Sequence, residues 1–167
     1  MRVYTTIGDL FFVKIDENSK KYFQLIAYDL TQLNSDVIRA FKKVYPVDAN
    51  PVLSEIVKDE IEFYAHYVTK WGVKLGYWEK AGHVKEVGAF DKVLFRGTND
   101  YGCKAGEKPV KISDKWYVWH INDEKFTRVG KLVGENRKAE IGIVMDPESI
   151  VHRLRTGEYD GSYPGFE

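Results

Sequence analysis

Apolar side chains first gather at Leu10-Phe11-Phe12-Val13-Lys14-Ile15, a β-prone run that predicts a strand. Gly8-Asp9 before it and Asp16-Glu17-Asn18-Ser19 after it are turn-forming clusters. A second apolar run, Tyr22 to Tyr28, completes an antiparallel hairpin. The stretch Asp36 to Tyr45 reads two ways. Val37, Ile38 and Phe41 have helical spacing, while Ala40 to Tyr45 suits a strand; the strand is favoured, closed by Pro46.

Further along, Asn50-Pro51 marks a helix start, with Asn50 as N-cap, Pro51 at the first position and a short helix to about Asp59. Ile61 to Val68 returns to β-like composition. Trp71 to Trp78 alternates large and small residues and is read as a strand of a curved sheet, its glycines marking bulges or close backbone approach. Val93 to Arg96 is a further strand, and Gly97 to Pro109 a long surface loop. Trp116 to Ile121 carries the strongest β pattern, with a turn at Asn122 to Lys125 and a partner strand from Phe126 to Leu132. Ala139 to Met145 is the last predicted strand. A helix follows, capped by Asp146 and Pro147, stapled by Met145 and Ile150, buried through Ile150, Val151 and Leu154, and stopped by Gly157. The aromatic tail from Glu158 to Glu167 is expected to pack. These elements predict a single α+β domain over residues 1–167, mostly antiparallel β, as a strongly curved sheet or a partly open small barrel.

Composition narrows the function. A hydrophobic fraction of 44% over 167 residues supplies one core. Lys plus Arg and Asp plus Glu are 25 each, so the chain lacks the basic excess on which phosphate binding relies, which argues against a general nucleic-acid binder. Cys103 is the only cysteine, which excludes an internal disulfide and a multi-thiolate zinc site. Met1 to Asp16 lacks the apolar core of a leader, and no run approaches a membrane span, so a cytoplasmic protein with no membrane partner is expected.

Candidate chemistry is thin. His66, His83, His120 and His152 show no metal-ligand spacing, and neither a metal nor a cofactor is expected. Cys103 lies in a glycine-rich loop beside Lys104, without a nucleophile signature. An enzyme would need His66, His120, Cys103 or the carboxylates to converge in one pocket. Glu55, Asp59, Glu60 and Glu62 crowd one junction and suit either a solvated face or an acidic patch for a basic partner. Aromatics beside lysines, as in Lys20-Lys21-Tyr22-Phe23 and Lys115-Trp116-Tyr117, offer a second reading: a small barrel that binds nucleic acid or a peptide by stacking.

Ile7-Gly8-Asp9-Leu10-Phe11 leading into a hairpin, and an extended strand followed by Asp146-Pro147-Glu148-Ser149-Ile150-Val151-His152-Arg153 and an aromatic tail, resemble the immunity protein 26 family of bacterial polymorphic toxin systems. That resemblance implies a predominantly β fold that binds a cognate toxin and neutralises it by occlusion, with no catalytic residues. The contacts expected on this reading are Glu55, Asp59, Glu60 and Glu62, with Tyr101, Tyr159 and Tyr163 as exposed aromatic anchors.

Overall fold

In the computed structural model, which describes residues 2–167, the first two apolar runs pair as an antiparallel hairpin of β1 (Asp9–Lys14) and β2 (Ser19–Asp29). Met1, the first residue of the stretch read for a leader, lies outside the described residues. The Ser19 carbonyl accepts from the Ile15 N–H at 3.0 Å, and Asp16 Oδ1 accepts from the Asn18 N–H at 2.8 Å, which closes the turn. The ambiguous third run is a strand, β3 (Ser35–Phe41), antiparallel to β2. Pro46 does not end it. It belongs instead to β4 (Tyr45–Pro46), which lies against Ser19 and Lys20 at the start of β2. β5 (Ile61–Tyr67) and β6 (Glu79–His83) complete a sheet of order β5-β3-β2-β1-β6.

Both faces of this sheet are covered, so β2 reads as a continuous apolar run rather than an alternating one. On one face Phe11, Phe23, Leu25, Ile38 and Phe63 meet Ile150, Val151 and Leu154 of α3 (Pro147–Thr156). Each such side chain, fully buried, contributes roughly 1.5–3 kcal/mol. The other face carries Leu10, Tyr22, Phe41 and Ile56 at one end, and Ile26 and Val37 against Phe95 and Trp119 at the other. Phe95 and Trp119 belong to a second sheet, built from β7 (Leu94–Thr98), β8 (Trp116–His120), β9 (Thr127–Gly130) and β10 (Glu140–Ile141) in the order β10-β7-β8-β9. The fold is α+β and mostly antiparallel, as the sequence predicts, and its two sheets are not closed into a barrel.

Other expectations are corrected. The middle helix is only α1 (Leu53–Ile56), with Val52 at its N-cap and no side-chain cap, so Asn50-Pro51 does not start it. It stops early because the Lys58 and Asp59 N–H groups tighten onto the Glu55 and Ile56 carbonyls, at 3.1 and 3.0 Å. The stretch from Trp71 to Trp78 is no strand; it contains most of α2 (Thr69–Lys74). Asp36 Oδ2 accepts from the Thr69 N–H at 2.8 Å, and the Trp78 indole donates to the Thr69 carbonyl at 3.1 Å. The same indole lies on Gly72, where a Cβ would stand 1.9 Å from the ring. The close backbone approach read from the glycine is therefore real, although the element is helical. β6, with Ala81 its one aliphatic side chain, is held by pairing with β1 and leaves no apolar run to find.

The last predicted strand, Ala139 to Met145, is divided between two partners. β10 pairs in parallel with β7; beyond it, Val144 bridges to His66 of β5, and the Met145 N–H donates to the His66 carbonyl at 2.9 Å. The change comes at Gly142, whose N–H donates to the Arg96 carbonyl at 2.8 Å and where a Cβ would meet the Trp119 ring at 2.1 Å. α3 forms as predicted: Asp146 Oδ1 accepts from the Ser149 N–H at 2.7 Å, and Gly157 closes the helix at φ 86°. The tail packs as expected, with Gly165 bridging to Ile112. Among the described residues no helix is long and apolar enough to cross a membrane.

Candidate functional site

Three histidines each sit beside a different aspartate, in three separate places. His66, on β5, is fully buried, and its Nε2 lies 2.8 Å from Asp29 Oδ2. The Trp119 indole donates to the same oxygen at 3.2 Å, and the Asn122 N–H donates to the other at 3.3 Å. Burial works to raise the Asp29 carboxyl, but the hydrogen bonds led by His66 hold it below the carboxylate range. Burial pushes the imidazole pKa down, against the pull of Asp29. His66 Nδ1 is buried without a partner, so a proton there would be an unsatisfied donor. The pair is thus a neutral imidazole donating through Nε2 to an ionised carboxylate. It anchors the sheets together, sealed from any substrate.

The second pair sits at the Gly-Asp motif. Asp9 is buried and accepts from the Thr6 N–H at 2.9 Å, with Lys80 Nζ 2.9 Å and His83 Nδ1 3.0 Å from its oxygens. Burial would raise its pKa; these contacts bring it below the ordinary value. Gly8 is at φ 102°, and a Cβ there would stand 2.5 Å from the His83 ring. Gly8-Asp9 is thus a latch between β1 and β6. The third pair, His120 and Asp123 at 3.3 Å, spans the turn after β8. Cys103 is exposed on its loop. His66, His120 and Cys103 are not brought into one pocket, and among the described residues no group of three or more His, Cys, Asp or Glu is placed to hold a metal ion.

The four acids expected to face a partner are each engaged within the chain. Lys58 donates to Glu55 at 3.0 Å, and Lys42 to Glu60 at 3.4 Å. Tyr45 donates its hydroxyl to Asp59 at 2.6 Å; burial and then this contact raise its pKa. Glu62 meets the buried Lys21 at 2.5 Å, and Lys21 also donates to the Leu154 carbonyl at 3.3 Å, tying β2 to α3.

Of the three aromatic anchors, only Tyr101 is exposed, at 49%. Tyr159 is half-buried between Phe63 and the Arg153 guanidinium, and Tyr163 packs on Trp116 with its hydroxyl donating to the Arg96 carbonyl. Burial pushes both phenols up to about 12. They line a groove of about 340 Å³ with Arg96, Arg153 and Glu140, whose rim adds the exposed Glu158 and Asp160. Its charges are mixed, and Arg153 already donates to Glu140 at 3.4 Å. Of the aromatics beside lysines, Tyr22, Phe23 and Trp116 are interior and Tyr117 is half-buried.

A surface that the sequence reading missed lies on α2. Trp71 is 44% exposed, whereas Trp78, Trp116 and Trp119 are 2%, 1% and 3% exposed. With Arg2, Val3, Lys70 and Lys74 it lines a hollow of about 380 Å³, and among the described residues no carboxylate lines it. Lys74 Nζ stands 4.8 Å over one face of the indole, and Leu75 beside it is exposed. Lys70 and Lys74, and Trp71 and Leu75, are each four residues apart, the spacing of one helical flank. That signal was present in the sequence but hidden by an alternation that Gly72 and Gly76 imposed. No family model, curated protein or solved structure matches the chain.

Proposed function

We propose that this chain is a non-catalytic protein-binding domain, an immunity protein of the cytoplasm that neutralises a cognate bacterial toxin by covering it. One observation carries the reading as a binder. The His66–Asp29 and His83–Asp9 pairs are committed to holding the fold, while Trp71, Leu75 and Tyr101 remain in solvent. The step from binder to immunity protein rests on the resemblance at both ends of the chain. There, Gly8-Asp9 locks the first strand to the sheet edge and Asp146-Pro147 starts the last helix.

The test reads the frame upstream of this one for a secreted protein with a C-terminal toxin domain and co-expresses that domain with this chain. The two should co-purify as a stable complex, and the chain should restore growth to cells that make the toxin. Retention of neither partner by the other, with both folded, would remove the reading. So would a turnover by the purified chain that one side-chain change in a cleft abolishes.

A further inference from the structure

We propose that the surface offered to the partner is basic and aromatic, the hollow of Arg2, Lys70, Trp71 and Lys74, and that it docks an acidic segment of a protein. The inference rests on the binding role proposed above and fixes the chemistry of the partner. Its charge is opposite to the one expected from the acidic group. Glu55, Asp59, Glu60 and Glu62 each have a compensating lysine or hydroxyl within reach. Among the described residues none of Arg2, Lys70 and Lys74 takes part in an ion pair. Three cations around one hollow without a carboxylate repel one another, and an acidic ligand relieves that repulsion.

The half-exposed indole supplies the anchor. Tryptophan and arginine are enriched among residues that dominate protein interfaces. Lys74 stands over one face of Trp71, and the part of the indole open to solvent is offered to an apolar side chain flanked by acids. Other anionic partners fit less well. Recognition of an anionic lipid surface takes roughly four to eight clustered Lys and Arg. Binding to single-stranded nucleic acid draws on many phosphates and on stacks of open aromatic faces. Three cations, one indole and a net charge of zero match neither.

The experiment titrates the full chain with a short fluorescent peptide of alternating Glu and Leu, read by anisotropy at low salt. Controls are the same peptide with Gln for Glu, a thymidine oligonucleotide, and vesicles of phosphatidylserine and phosphatidylcholine. The acidic peptide should bind at or below about 1 mM. The Gln peptide, the Lys70→Glu/Lys74→Glu variant and Trp71→Ala should each weaken binding about tenfold or more. All three side-chain changes lie on the surface, and an unchanged urea midpoint shows that the variants are folded.

Equal binding of the Gln peptide, or no loss in the charge-reversed variant, overturns the proposal. Tighter binding of the oligonucleotide or the vesicles overturns it too and reassigns the surface. With the toxin domain in hand, a complex that forms equally well with Lys70→Glu/Lys74→Glu sinks this site and leaves the immunity role standing. Peptide binding without any toxin complex does the reverse.

Discussion

Asp29 and His66 share one proton arrangement, and its stability depends on pH in a definite direction. Both pKa values are lowered by folding, so the unfolded chain binds more protons wherever either group titrates. Stabilisation from His66 is complete above its unfolded value of about 6.5 and is lost as pH falls below it; that from Asp29 follows below about 4. Urea midpoints measured between pH 7 and pH 5 should therefore fall for the wild type. They should fall less in His66→Gln, which places an amide donor near the Nε2 position without a titrating ring. Parallel slopes for the two proteins would show that His66 is not the source. At Gly72 the constraint is steric. A methyl group at 1.9 Å from the Trp78 ring forces the helix or the indole aside, so Gly72→Ala should destabilise by roughly 1–3 kcal/mol, measured by urea unfolding.

At the scale of elements, α3 shows local and tertiary preferences in agreement. Its cap, its proline, its buried stripe and its terminal glycine were all visible in sequence, because each acts over a few residues. Asp146→Ala should cost about 1 kcal/mol, and a fall of the urea midpoint without a change of slope would register it. α2 shows the opposite case. Its Thr69 N–H is met by Asp36, thirty-three positions away, and Trp78 packs on Gly72, so the local residue pattern alone misreads it. Because Trp71 is the solvent-facing tryptophan and lies among cations, iodide should quench its emission more strongly than caesium does. That preference should vanish in Lys70→Glu/Lys74→Glu.

For the whole molecule, strands with long apolar runs could be read directly. The hairpin and the strands at Ile61 and Trp116 fall where hydrophobicity and turn residues put them. β6 and the split of the last strand could not, since their pairing is decided by residues distant in the chain. The acidic group was visible as composition, but its lysine and tyrosine partners come from β2, β4, the residue after β3 and the turn after α1. Sequence proximity made a patch of what folding makes a set of separate pairs. If the partner is acidic, Glu60→Lys should leave the association rate with it unchanged or raise it, while Lys70→Glu/Lys74→Glu slows it most at low salt, in a stopped-flow measurement.

Gly142 and Met145 lie on a short ribbon that is stitched on one side to β7 and on the other to β5. Neither sheet can peel away without tearing that ribbon from one neighbour. The two layers are thereby geared together, and denaturation should proceed as one event instead of two. In deuterium exchange the amide protons of Gly142 and Met145 should rank with those of β2 among the last to be replaced, and their rates should track the global unfolding free energy as urea is added.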